Sequence, residues 1–165
     1  MSNSNVEKSI LVEISVPANP EEVWNAWTTE EGIKSFFAPE CNIELKVGGV
    51  YELLFDLEAE SGSQGSEGMI IMAFQPKEML SFTWNAPPSY PNIRGQMTHV
   101  VLRLSEEGEN STKLRLFHDG WGSGEEWDQV YHYFDVAWKE VVLKRLIYMF
   151  ETGPVDWDDL PFSIV

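Results

Sequence analysis

The segment Ile10-Leu11-Val12-Glu13-Ile14-Ser15-Val16 settles into apolar–polar alternation, the period of a strand, and Pro17 stops it. Asn19-Pro20-Glu21-Glu22 then reads as a helix start: Asn suits the cap, Pro the first turn, and Glu three residues after the cap closes a capping box. Val23, Trp24, Ala26 and Trp27 fill that short helix. Thr28-Thr29-Glu30-Glu31 has the same form, so a second short helix is expected over residues 33–37, ended by Pro39. From there the period changes to two. Strands are expected at residues 41–46, 50–56, 68–74, 79–84, 97–104 and 113–118. Between them, residues 58–67 (rich in Ser, Gly and Glu) and 86–95 (with Pro87, Pro88 and Pro91) read as loops.

The period changes once more near the end of the chain. Trp127, Tyr131, Phe134, Trp138, Val142, Leu146 and Met149 recur every three or four residues, the apolar stripe of one long helix. Ser123-Gly124-Glu125-Glu126 is expected to cap it as a third capping box, and Gly153-Pro154 to end it. The order is one strand, two short helices, about six strands and one long helix. A meander of that size needs a partner for its apolar face, and the long helix is the only large amphipathic element. The expected fold is therefore α+β, with a curved antiparallel sheet of about six to seven strands wrapped round the C-terminal helix. Alternation turns Val100, Leu102, Leu104, Leu114 and Leu116 inward and Arg103 and Arg115 outward. The same period puts His118 inside, near its strand end, and His99 outside.

The 165 residues suit one domain, and 43% apolar with 23% charged residues is ordinary for a globular core. No apolar run is long enough for a membrane span. A net charge of −16 repels phosphate backbones, which excludes nucleic acid as a natural partner. Cys41 is the only cysteine, so no internal disulfide forms. The start of the chain lacks the pattern of a signal peptide, and a cytoplasmic, reducing location is expected. Residues 1–8 are expected to be a flexible N-terminus, 9–152 the folded domain, and 153–165 an acidic tail that Trp157, Leu160, Phe162 and Ile164 can dock.

Several segments, in this order, resemble the helix-grip fold of START-like (SRPBCC) domains. They are V-P-A-N-P-E-E-V-W-N-A-W-T-T-E-E-G-I, V-G-G-V-Y-E-L, F-Q-P-K-E-M-L-S-F-T-W, L-R-L-F-H-D-G-W-G and the helix W-x-x-x-Y-x-Y-F-x-x-A-W from Trp127 to Trp138. The chain is most similar to homologues of the activator of heat-shock-protein-90 ATPase, over roughly residues 8 to 150. The resemblance implies an apolar cavity between sheet and long helix, and relatives that bind lipids, sterols or polyketides.

Three functions follow as expectations. The first is binding of an apolar or amphipathic small molecule in that cavity. The second is a chaperone-activator-like interaction module whose partner is a chaperone or another protein. The third is an enzyme of the cyclase or aromatase type, although no catalytic constellation is visible. The expected cavity wall comprises Tyr51, Leu53, Phe55, Met69, Ile71, Phe82, Trp84 and Leu116 from the sheet. Trp127, Tyr131, Phe134 and Trp138 add the helix, with His118 and Trp121 at the mouth. His118 also reads as a histidine satisfied at a strand end, and the aromatics as filled core. His99, His118 and His132 lack the spacing of metal ligands, and no cofactor motif is present. The acidic pairs Glu21-Glu22, Glu30-Glu31 and Glu125-Glu126 begin helices, where they complement the dipole, as Lys139, Lys144 and Arg145 do at the other end.

Overall fold

The computed structural model describes residues 8–163. The expectation of a loose N-terminus falls largely on residues 1–7, outside that range, as does a docking role for Ile164. Strand β1 (Ile10–Val16) leads into α1 (Pro20–Thr28) and α2 (Glu30–Phe36). Six strands follow: β2 (Glu40–Ile43), β3 (Tyr51–Leu54), β4 (Ile71–Gln75), β5 (Met79–Trp84), β6 (Thr98–Glu106) and β7 (Thr112–Asp119). A long helix follows, made of α3 (Glu125–Val136), a π-helical segment (Ala137–Val142) and α4 (Leu143–Glu151).

Five strands form one antiparallel sheet in the order β1-β7-β6-β5-β4, and β2 pairs with β3 in a second, two-stranded sheet. The meander is thus split. Isolated bridges Val50↔Ile70 and Leu54↔Gly65 span the split, and the Tyr51 N–H donates to the Met69 carbonyl at 2.8 Å. A bulge between Ile71 and Ala73 and the turn at Gly48, whose φ is +82°, bend the chain there. In consequence β3 stops at Leu54 and β4 starts at Ile71, shorter than the expected 50–56 and 68–74. The hairpin β6–β7 follows the alternation instead. Val100, Leu102, Leu114 and Leu116 are buried while Arg103 and Arg115 are exposed.

The helix caps follow local chemistry. Asn19 Oδ1 accepts from the Glu22 N–H at 2.9 Å. The second helix is capped by Thr29, one residue later than expected, through a 3.0 Å bond from the Gly32 N–H to Thr29 Oγ1. The expected capping box at Ser123 is absent: Gly124 takes the cap position at φ +112° with no side-chain bond. Packing explains this, since a Cβ on Gly122 would lie 2.2 Å from Trp127 Nε1, so the turn is pressed onto the indole. Lys139 with Asp135 and Lys144 with Glu140 form the i,i+4 ion pairs that the spacing implies.

The long helix is not uniformly α. The Leu143 N–H bonds the Trp138 carbonyl, five residues back. Each residue in such a turn adds less rotation than in an α turn. The buried face therefore drifts from the expected stripe: Val141, Leu143 and Arg145 are buried, whereas Val142 and Met149 are only half-buried. Beyond the helix, the Val155 N–H donates to the Ser35 carbonyl at 2.9 Å and Trp157 Nε1 to the Lys34 carbonyl at 2.8 Å. Among the described residues no helix is long and apolar enough to cross a membrane.

Candidate functional site

A half-open cavity of about 530 Å³ lies between the long helix and the part of the fold where the sheet is split. That volume is within the usual range of small-molecule sites. Phe37, just after α2, forms its floor. Phe55 and Asp56 follow β3, and Trp84, Asn85 and Ala86 end β5. The helix contributes Phe134, Ala137, Trp138, Val141 and Arg145, three of them from the π segment. The loops at residues 59–65 and 87–94 make the rim.

The wall is a set of interlocked rings. Phe37 meets Trp138 edge-on at 5.7 Å, Trp84 at 5.9 Å and Phe55 at 6.0 Å. Trp138 is fixed from behind, because its indole N–H donates to His118 Nδ1 at 3.0 Å. An indole N–H can only donate, so Nδ1 accepts and the imidazole proton sits on Nε2. Nε2 lies 2.7 Å from Thr98 Oγ1, which donates onward to the Trp84 carbonyl at 3.3 Å. A chain of hydrogen bonds thus joins one wall tryptophan to the backbone of the other. His118 is fully buried, and burial, with a smaller contribution from His99, lowers its pKa to about 3. It is a neutral strut behind the wall, not a group at the mouth.

The two arginines of the cavity are held differently. Arg94 donates to the carbonyls of Gly62, Gly65 and Ala86 and stands 3.9 Å from the Glu67 carboxylate. Burial raises the pKa of Glu67, but the N–H groups of Gly62, Gly65 and Gln64 together with Arg94 outweigh it, and the net shift is downward. This pair clamps the rim loops. Arg145 donates from Nε to the carbonyls of Pro161 (2.9 Å) and Phe162 (3.1 Å), and from Nη2 to Phe162 (2.5 Å). Among the described residues its hydrogen bonds go only to carbonyls, its guanidinium stands 5.9 Å from the Trp157 ring centre, and burial alone lowers its pKa.

Of the expected wall residues, Phe55, Trp84, Phe134 and Trp138 line this cavity. Tyr51, Leu53, Met69, Ile71, Phe82 and Leu116 lie in the buried core outside its lining, with the Tyr51 hydroxyl donating to the Trp27 carbonyl at 2.8 Å. Trp121, Trp127 and Tyr131 form a separate cluster beside His118. There the Trp121 ring packs against the imidazole at 4.2 Å with a 43° tilt, and the Tyr131 hydroxyl donates to the Ser9 carbonyl at 3.0 Å. The sequence reading passed over Phe37, Arg94, Ala137 and Arg145. Arg145 had a visible signal: it follows Trp138 by seven residues, on the apolar stripe of the helix. The Cys41 thiol is buried, and burial, with Glu30 and Glu40 nearby, raises its pKa to about 11, so it is no nucleophile at neutral pH. A second, wider depression lies over α1, α2 and the end of α4, bordered by Glu22, Glu30, Glu31 and Lys34.

A sheet gripping a long C-terminal helix defines a class of domain, and comparison with known proteins places the chain within it. A sequence model of the activator of Hsp90 ATPase homolog 1-like proteins matches residues 17–151. The chain belongs to that family. Among solved structures, CalU16 from Micromonospora echinospora is 28% identical, with a TM-score of 0.65 over 91% of this chain and 78% of that one. An HSP90 activator from Plasmodium falciparum is 18% identical, with a TM-score of 0.63 over 94% of this chain and 99% of the other. The Aha1 dimer of Colwellia psychrerythraea is 21% identical, with a TM-score of 0.65 over 88% and 98%. The likeness to the last two is one of fold. No curated protein matches the sequence.

Proposed function

We propose that this protein binds an apolar or amphipathic small molecule in the cavity between its sheet and its long helix. The observation that carries the reading is a volume of about 530 Å³ walled by Phe37, Phe55, Trp84 and Trp138. Four aromatic rings around open space, with a few polar groups at the margin, fit a flat or flexible apolar ligand. The π-helical segment supports the same site, since such segments often mark functional positions and this one supplies Ala137, Trp138 and Val141 to the wall.

Titration with the neutral fluorophore N-phenyl-1-naphthylamine tests this. The wild type is expected to bind it, and Ala137→Phe, which fills the cavity from the helix side, to bind at least about tenfold more weakly with an unchanged Tm. No binding, or equal binding by both proteins, overturns the reading.

A second reading is a chaperone-activator-like module acting through its surface. The net charge of −16 and the depression bordered by Glu22, Glu30 and Glu31 favour it. It requires salt-sensitive binding to a basic protein surface, with no effect of Ala137→Phe. A cyclase or aromatase role gains nothing from His118, which is enclosed behind Trp138 and neutral.

A further inference from the structure

Arg145 is out of keeping with every other cation in the chain. The protein has 11 lysines and arginines, all within the described residues, against 27 acids. Nine of the eleven stand within 4.0 Å of a carboxylate: Lys8, Lys34, Lys46, Lys77, Arg94, Lys113, Arg115, Lys139 and Lys144. The two exceptions among the described residues are Arg103, which is exposed and solvated, and Arg145, which is 9% exposed and lines the cavity. A guanidinium does not shed its charge in proteins, so a full positive charge lines the cavity, and among the described residues its counterparts are carbonyl dipoles and the Trp157 ring at 5.9 Å, with no carboxylate within 4.0 Å.

The geometry of its donors is more specific. Nε and Nη2 make up the side edge of the guanidinium, and both point at the Pro161–Phe162 backbone. Nη1 has no partner among the described residues, and Nη2 keeps its second hydrogen. Nη1 and Nη2 therefore offer an unused end edge with two parallel N–H donors, the fork that matches a carboxylate. The tail carbonyls hold the side chain in place, which removes much of the rotamer entropy that a lysine or a free arginine would lose on pairing.

We infer that the ligand is an amphiphile with a carboxylate head, and that Arg145 pairs with that head while the ring-walled cavity takes the apolar body. This rests on the cavity-binding reading above and sharpens it to a ligand class. The lining holds one carboxylate, Asp56, which disfavours an anion beside it and so orients the head toward Arg145. The chain as a whole repels anions, so a preference for one is a local property of this site.

Three twelve-carbon amphiphiles decide it: dodecanoate, dodecanol and dodecyltrimethylammonium, each titrated by calorimetry into wild type, Arg145→Gln and Arg145→Lys. Wild type is expected to bind dodecanoate at least about tenfold more tightly than dodecanol, and dodecyltrimethylammonium most weakly. Arg145→Gln is expected to abolish the preference for dodecanoate over dodecanol, and Arg145→Lys to restore part of it. Equal binding of dodecanoate and dodecanol by wild type overturns the inference and leaves the cavity reading standing. An unchanged preference in Arg145→Gln overturns it too. If neither ligand binds, both readings fall. The wild-type comparison needs no variant, so a folding defect in Arg145→Gln does not blunt the test.

Discussion

Around His118, Trp121, Trp127 and Tyr131 pack against one another at ring separations of 4.2–6.3 Å, and Trp127 is buried. Around Phe37 the separations fall in the same range, 5.7–6.0 Å, yet those rings border about 530 Å³ of space, and Phe55 is 43% exposed. Residue type does not separate the two regions. Strand length does. At the first, β6 and β7 run nine and eight residues side by side, and Gly122 lets the following turn press onto Trp127. At the second, β3 and β4 are four and five residues long, and loops stand where strands would have continued. A sheet that stops short leaves a flank of the helix uncovered, and aromatic rings there become a wall instead of a filling.

Truncating rings in each region is the strongest way to break this comparison. Trp138→Ala removes a wall ring and strands the buried His118 Nδ1. It should cost about 3–5 kcal/mol in urea unfolding, plus about 1–3 for the unmet acceptor, and abolish fluorophore binding. Trp127→Ala should cost about 3–5 kcal/mol as well, but leave affinity within about twofold, because its cavity is new and distinct. Equal loss of binding in both variants would erase the distinction. Gly122→Ala probes the filled region alone: a Cβ placed 2.2 Å from Trp127 should cost about 1–3 kcal/mol without touching the ligand.

The strut joining the regions has a pH signature. His118 takes up a proton near pH 6.5 when unfolded but only near pH 3 when folded. Its folded pKa is depressed, so its contribution is complete above pH 6.5 and lost as pH falls toward 3. Between pH 7 and 5 wild type should lose about 2 kcal/mol more stability than His118→Gln. Identical pH profiles would show that the histidine is not held neutral. The smallest stability effect belongs to Phe55→Ala. With 43% of the ring already exposed it should cost less than about 2 kcal/mol, yet weaken fluorophore binding severalfold.

The order of elements was legible because each carries its own period: two along residues 97–104, three or four from Trp127 onward, with Asn19 and Pro39 marking ends. The inward face of β6–β7 followed from alternation alone. The cavity did not, because it lies where periodicity ends. Alternation over residues 50–56 pointed to Phe55, although β3 ends one residue before it, whereas Phe37 sits one residue beyond α2, where no repeat fixes it. The π segment shifts the buried face from Val142 to Val141 and Leu143, and apolar spacing does not distinguish an inserted residue from an α turn. Arg145 looked like a cation answering the helix dipole; only the docking of residues 161 and 162 shows it turned inward. The split of the sheet depends on a bulge and on bridges such as Val50↔Ile70, which are long-range contacts.

Of the seven tryptophans, Trp84 and Trp138 line the cavity and Trp121 and Trp127 lie beside His118, and each of the seven gives one indole N–H resonance. Following those resonances by NMR while dodecanoate is added reads the location of a ligand directly. The account predicts that the largest shifts fall on Trp84 and Trp138, with Trp121 and Trp127 moving least. Shifts centred on Trp121 and Trp127, or spread evenly over all seven, would contradict it.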